Sequence, residues 1–222
     1  MSRSTADLIR RAFADKDPTA WFDVVYADAE AGRRAIPWAL MEPYPDLLAW
    51  LDREQVSGAG RRALVVGCGL GDDAEELARR GFTVTAFDIA PRAIAACRRR
   101  FPASPVEYVA ADLLAAPPAW RRAFDLVLEN ATLQALPWDL CDPAVAAIAE
   151  CVKPGGAALV LCLGREPDAD RRGIPWPLSR AELAGFTQAG LREESFEDLG
   201  GPAGPRRFRA VYRRPAGAAD AH

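Results

Sequence analysis

The residues with the most chemistry to offer lie in one stretch, Leu64-Val65-Val66-Gly67-Cys68-Gly69-Leu70-Gly71-Asp72-Asp73. An apolar run enters spaced glycines, and an acidic segment follows. Glycine takes left-handed backbone angles and lets a ligand approach the chain closely. A buried strand, a ligand-holding turn and a helix start are therefore expected here. A dinucleotide-binding turn would carry its third glycine one place later, where Asp72 stands, and would rest a pyrophosphate on the helix N-terminus. Asp72, Asp73, Glu75 and Glu76 load that end with negative charge, and no Gly-Lys-Ser/Thr follows, so a P-loop is excluded. The turn favours a nucleoside-like ligand that lacks phosphates and carries positive charge.

Two further carboxylates fall at matching places. Asp88 ends the next apolar run, 21 residues after Gly67, where an acidic side chain can accept from both hydroxyls of a ribose; its alternative role is to cap the helix that begins near Pro91. Asp112, in Ala110-Ala111-Asp112-Leu113, ends the run after that. It can take an adenine amino group, with the Leu113 backbone serving a ring nitrogen, or act as a plain turn residue. Ile89 and Cys68 flank these positions. S-adenosylmethionine, with its adenosine, sulfonium, ammonium and single carboxylate, satisfies the set.

The elements that must hold these residues follow from hydrophobic patterning. Ala63–Val66, Thr83–Phe87, Val106–Ala110, Asp125–Leu128 and Ala157–Leu163 read as strands. Asp72–Arg80, Pro91–Phe101 and Pro143–Val152 read as helices, the last closed by Lys153-Pro154-Gly155-Gly156. Such alternation gives an α/β fold with a mostly parallel sheet and helices on both faces. Ser179–Ala189 reads as a helix with a capping box, Ser179 and Glu182. Leu191–Glu197 and Arg207–Arg213 then form a terminal hairpin, because the Gly/Pro loop between them is too short for a crossover helix. The organisation expected is one domain: a helical cap over residues 1–60, a sheet domain over 61–213, and a disordered tail over 214–222. The cap holds a helix opened by Asp17-Pro18 and a short one over Pro43–Leu51, both placed across the ligand end of the sheet.

Composition narrows the function. The 222 residues carry a net charge of −3, without the positive excess of a nucleic-acid binder. The single histidine is His222, so no histidine base, triad or ligated metal is available within the fold. Five cysteines without a Cys-x-x-Cys pair suit free thiols in a reducing cytoplasm. No apolar run approaches the ~20 residues of a membrane span. The partners expected are a small-molecule acceptor and no nucleic acid or membrane, with the chain a monomer or weak homodimer.

With the glycine loop, Asp88, Ala111-Asp112-Leu113, Phe124-Asp125-Leu126-Val127 and Lys153-Pro154-Gly155-Gly156 in place, the chain from about Trp38 to Tyr212 resembles the class I S-adenosylmethionine-dependent methyltransferases. That resemblance implies a Rossmann-like sheet of seven strands with an antiparallel last strand, an N-terminal helical lid, and S-adenosylmethionine as methyl donor. It places Trp38, Gly67, Cys68, Gly69, Gly71, Asp73, Asp88, Ile89, Asp112, Leu113, Glu129 and Asn130 around the donor. Val65 departs from the class, many of whose members have an acidic residue there. Ile36-Pro37-Trp38, Glu42-Pro43-Tyr44-Pro45-Asp46 and Pro175-Trp176-Pro177-Leu178 are similar to the thiopurine and halide/thiol methyltransferase group, in which a non-acidic residue before the loop is usual.

For the acceptor, the missing histidine favours a nucleophile that needs no strong base: sulfur, nitrogen or a halide. Glu129, in Leu128-Glu129-Asn130-Ala131-Thr132, is the candidate base for a hydroxyl acceptor, or else caps the following turn or holds the methionine end of the donor. Trp21, Tyr26, Trp38 and Trp176 are candidates for an aromatic wall, and Arg165, Arg171 and Arg172 for an anion-attracting or merely solvated loop. A nicotinamide-dependent oxidoreductase is disfavoured by Asp72 and the terminal hairpin, and a non-catalytic S-adenosylmethionine-binding protein stays open.

Overall fold

The computed structural model describes residues 7–8, 19–169, 175–200 and 204–217. Its elements are α1 (Ala20–Glu30), α2 (Pro45–Arg53), β1 (Arg62–Val66), α3 (Asp72–Arg79), β2 (Thr83–Asp88), α4 (Pro91–Arg100), β3 (Glu107–Ala110), β4 (Phe124–Asn130), α5 (Trp138–Cys151), β5 (Val152–Leu163), α6 (Arg180–Leu183), α7 (Gly185–Gln188), β6 (Arg192–Asp198) and β7 (Arg207–Arg213). The strands form one seven-stranded sheet in the order β3-β2-β1-β4-β5-β7-β6. Neighbours from β3 to β5 pair in parallel, and β7 runs antiparallel to both β5 and β6. The expected architecture is thus present, antiparallel strand included.

Alternation along the strands makes two cores. Leu64, Val66, Val127 and Val160 face one side, where they meet Val145, Ile148 and Phe186 of α5 and α7. Ala63, Val65, Leu128 and Leu159 face the other, with Leu47, Trp50 and Leu51 of α2, Leu77 of α3 and Ile94 of α4. Burial on both faces explains why the central strands read as unbroken apolar runs. The chain order reverses between β1 and β4, and at such a switch point the strand ends open a crevice.

Several boundaries differ from the sequence reading. Between β3 and β4, where the sequence reading places no helix, there are only single 3-10 turns at Leu113–Ala115 and Pro118–Trp120. Helix α5 starts at Trp138 and carries Pro143 in its interior instead of at its first turn. The segment read as helix 179–189 breaks at Ala184 into α6 and α7, although the capping box forms, with the Ser179 N–H donating to Glu182 Oε2 at 2.7 Å. Helix α2 is not across the ligand end. Its Leu47, Trp50 and Leu51 bury against one sheet face, and of α1 and α2 only α1 reaches the crevice. Arg214, assigned to the tail, is buried: its guanidinium donates to the Val152 and Ala149 carbonyls at 2.7 and 2.6 Å. The Asp17-Pro18 start and the tail from residue 218 lie outside the described residues.

Candidate active site

The ends of β1, β2 and β3 and the N-terminal segment enclose a cavity of about 680 Å3, within the usual range for a small-molecule site. The turn after β1 enters it with Gly67, Gly69 and Gly71 at φ +56°, +57° and +90°, angles that L side chains adopt only under strain. A Cβ on Gly67 would lie 2.4 Å from Thr132 Oγ1, so glycine there lets the turn seat against the end of β4. A Cβ on Gly69 would meet only Tyr26 Oη at 3.6 Å and Trp38 Nε1 at 3.9 Å. Glycine at that position keeps ligand space open.

Asp88 organises the turn. Its carboxylate accepts from the Gly69 N–H at 3.0 Å and the Ala90 N–H at 2.9 Å. Burial pushes it up to about 6 against the pull of these two N–H donors. A carboxylate has about four lone-pair sites, so Asp88 can brace the turn and still accept from a ligand in the cavity it lines. Asp112 accepts from the Leu114 N–H at 2.8 Å through Oδ1, and it also lines the cavity, with Ile89 and Leu113. Asp73 ties three segments together: it accepts from the Tyr44 N–H at 2.7 Å and from Asn130 Nδ2 at 2.9 Å. Burial raises it, opposed by those donors. The other carboxylates of α3 are engaged as well. Asp72 pairs with Arg100 at 2.7 Å, Glu75 accepts from Tyr108 Oη at 2.6 Å, and Glu76 pairs with Arg79 and Arg80. Of the four expected at the helix start, only Asp72 and Asp73 line the cavity.

The aromatic wall comes from α1 and the loop after it. Trp38 donates from Nε1 to Tyr26 Oη at 3.2 Å and stands edge-on to Trp21, Phe22 and Tyr26 at centroid distances of 5.8, 6.2 and 5.9 Å. Burying Trp21, Val25 and Tyr26 anchors α1. Its ion pairs with α4, Arg92 to Asp23 and Arg92 and Arg99 to Glu30, are exposed and add little.

Of the residues expected at the donor, Trp38, Gly67, Cys68, Gly69, Gly71, Asp73, Asp88, Ile89, Asp112, Leu113 and Asn130 all line this cavity; Glu129 does not. Strand β4 runs on through Asn130, and alternation along it turns Glu129 to the opposite face from Asn130. There Glu129 is fully buried. Its Oε1 accepts from the Leu133 N–H at 2.9 Å, and Oε2 has no partner among the described residues. Burial pushes this carboxyl up to about 7. It holds a turn in which Ala131 sits at φ +59°, and its carboxyl is not part of the cavity lining. Gln134 is likewise a brace, bonded to Leu163 and Trp176. Arg165 is neither solvated nor an anion trap. It is buried, donates to the Pro177, Glu166 and Pro167 carbonyls and pairs with Glu182. Arg171 and Arg172 lie outside the described residues, and Trp176 donates to the Leu136 carbonyl instead of joining the wall. All five cysteines are free and buried. The structure adds Phe22, Leu40, Leu136, Leu140, Cys162 and Leu163 to the cavity lining. Nothing in local spacing marks these, because they come from four separate segments.

Residues 63–156 match the model of a methyltransferase domain family. A ubiquinone biosynthesis O-methyltransferase of Pseudomonas entomophila is 37% identical over 126 residues, 54% of this chain and 51% of the relative. One from Pseudomonas putida is 37% identical over 136 residues, 59% of this chain and 56% of its own length. The chain thus spans about half the length of the curated relatives it matches. Among solved structures, the fold is similar to the 1,6-didemethyltoxoflavin-N1-methyltransferase of Burkholderia thailandensis, with a TM-score of 0.67, 19% identity and coverage of 97% and 92% of the two chains. It is also similar to the [4+2]-cyclase SpnF, with a TM-score of 0.71, 20% identity and coverage of 90% and 96%. No helix among the described residues is long and apolar enough to cross a membrane. Residues 63–156 are thus similar to a methyltransferase domain family, and the chain shares the Rossmann-like fold of these solved structures.

Proposed function

We propose that the protein transfers the methyl group of S-adenosylmethionine to a small molecule held in the same cavity, at a nitrogen, sulfur or halide nucleophile. One observation carries the reading: three consecutive strand ends bring the glycine turn, Asp88 and Asp112 to one cavity, the place where open α/β sheets bind ligands. The residues fit the donor. Asp88 would accept from the ribose hydroxyls, Asp112 and the Leu113 backbone would take the adenine edge, and the open side of Gly69 would lie beneath the nucleoside. Trp38 and Tyr26 would cover it, with ring faces suited to a sulfonium. The donor supplies a methyl group on a good leaving group, so this chain's residues have to position the reactants and exclude water.

Displacement of Glu129 from the cavity supports an acceptor that needs no buried base. The names of the curated relatives favour a second reading, transfer to a hydroxyl. Under it, the base would be another cavity carboxylate or the solvent. The relatives' names do not support the narrower thiopurine or halide/thiol likeness. A panel of amines, thiols, iodide, phenols and catechols, read by mass spectrometry of methylated product, tests both readings. Methylation of amines, thiols or iodide is expected. Turnover confined to phenols or catechols would replace the first reading with the second.

A further inference from the structure

The part of the cavity not taken up by the glycine turn and the ends of β2 and β3 is walled by Phe22, Leu40, Leu136, Leu140, Leu163 and Pro175. It is apolar, and the charge around it has one sign. Five carboxylates line the cavity, Glu42, Asp72, Asp73, Asp88 and Asp112, and among the described residues no Lys, Arg or His does. Four of the five have protein partners: Arg100 for Asp72, Tyr44 and Asn130 for Asp73, Gly69 and Ala90 for Asp88, and Leu114 for Asp112. Glu42 accepts no hydrogen bond and forms no ion pair among the described residues, and it is exposed on the same loop as Trp38 and Leu40.

This arrangement discriminates among nucleophiles. A thiolate or a halide would enter a carboxylate-lined, low-dielectric cavity against like charge. An ammonium would be drawn in, with the Glu42 carboxylate free to receive it and the aromatic side chains of Trp38 and Phe22 in the same lining. We propose that the acceptor is a largely apolar small-molecule amine whose ammonium is gathered at Glu42, and that the methyl group goes to nitrogen. The inference rests on the methyltransferase reading above. The amine must shed a proton before its lone pair bonds to the methyl carbon. The carbon–sulfur bonding pair then stays on sulfur as a thioether, the positive charge passes to the methylated nitrogen, and the shed proton leaves through exposed Glu42 to water.

The test uses the full-length protein saturated with S-adenosylhomocysteine and three probes of one skeleton: 3-phenylpropylamine, 3-phenylpropanol and 3-phenylpropanoate. Calorimetry should rank the amine about tenfold or more above the carboxylate, the scale of one charge-assisted contact. Glu42→Gln should reduce that preference and leave S-adenosylhomocysteine affinity unchanged; because Glu42 is exposed, the variant should fold. Three results would overturn the inference: carboxylate binding as tight as the amine, a preference that survives Glu42→Gln, or no binding by any probe to the loaded protein. Failure to bind S-adenosylhomocysteine at all would instead overturn the methyltransferase reading beneath it.

Discussion

Replacing Glu129 by Gln should make the protein more stable, and increasingly so as pH rises. The carboxyl is fully buried, and burial lifts it from the ordinary 4.5 to about 7. In the unfolded chain it loses its proton near pH 4.5. Between about 4.5 and 7 the native state therefore holds a proton that the unfolded state has released. Stability falls with pH wherever the native state binds more protons. The contribution is complete below pH 4.5 and lost as pH passes 7. Raising the carboxyl from 4.5 to about 7 is worth about 3 kcal/mol. Gln keeps an oxygen to accept from the Leu133 N–H and has no charge to bury. Its amide replaces the unpartnered Oε2, which in the acid form also carries an unmatched donor, so the two proteins should be near parity at pH 5. Asp88, pushed up to about 6, titrates in the same sense but does so in both proteins and cancels in the difference. Urea unfolding followed by tryptophan fluorescence at pH 5, 6, 7 and 8 gives the two curves. Parallel curves across that range would refute the burial argument for Glu129.

Gly67→Ala should lower the thermal midpoint, because the left-handed backbone alone costs about 1–2 kcal/mol and the new Cβ would lie 2.4 Å from Thr132 Oγ1; at about 2–4 °C per kcal/mol, differential scanning calorimetry resolves this. Asp88→Ala should weaken S-adenosylhomocysteine binding by roughly 1.5–3 kcal/mol, since the ribose contact and the Gly69 brace go together; unchanged affinity by titration calorimetry would remove Asp88 from the site. Arg165→Ala should cost about 1–3 kcal/mol in chemical denaturation, as it removes the ion pair to half-buried Glu182 and the guanidinium that donates to four carbonyls, while the folded fraction binds S-adenosylhomocysteine as the wild type does.

The sheet was legible because both faces of its central strands are covered, which leaves runs such as Leu64-Val65-Val66 with no polar interruption. The glycine turn, Asp88 and Asp112 were legible for a related reason: each stands where such a run stops, and strand ends in a parallel sheet converge. What escaped the sequence depended on distant partners. Lys153-Pro154-Gly155-Gly156 reads as a helix-closing turn, yet it belongs to β5, where Gly156 packs so close that a Cβ would lie 2.8 Å from the Phe124 carbonyl. The strand partner of that segment, Arg214, is 58 residues further on. Glu129 looked like a residue beyond the strand because it is charged. Its burial follows from β4 continuing to Asn130, and strand parity then aims it away from the cavity. Arg165 looked solvated because its carbonyl partners carry no sequence signature. The apolar wall of the cavity was invisible for the same cause, since Leu40, Leu136 and Leu163 meet only in the folded chain.

The central claim is that the cavity at the ends of β1, β2 and β3 is an S-adenosylmethionine site. Titration of the purified chain with S-adenosylhomocysteine and, separately, with NADH tests it most directly. A saturable one-to-one isotherm for S-adenosylhomocysteine and no heat of binding for NADH is the expected result, because the turn places Asp72 and Asp73 where a pyrophosphate would have to lie. Saturable NADH binding, or no binding of S-adenosylhomocysteine by the folded protein, would contradict it.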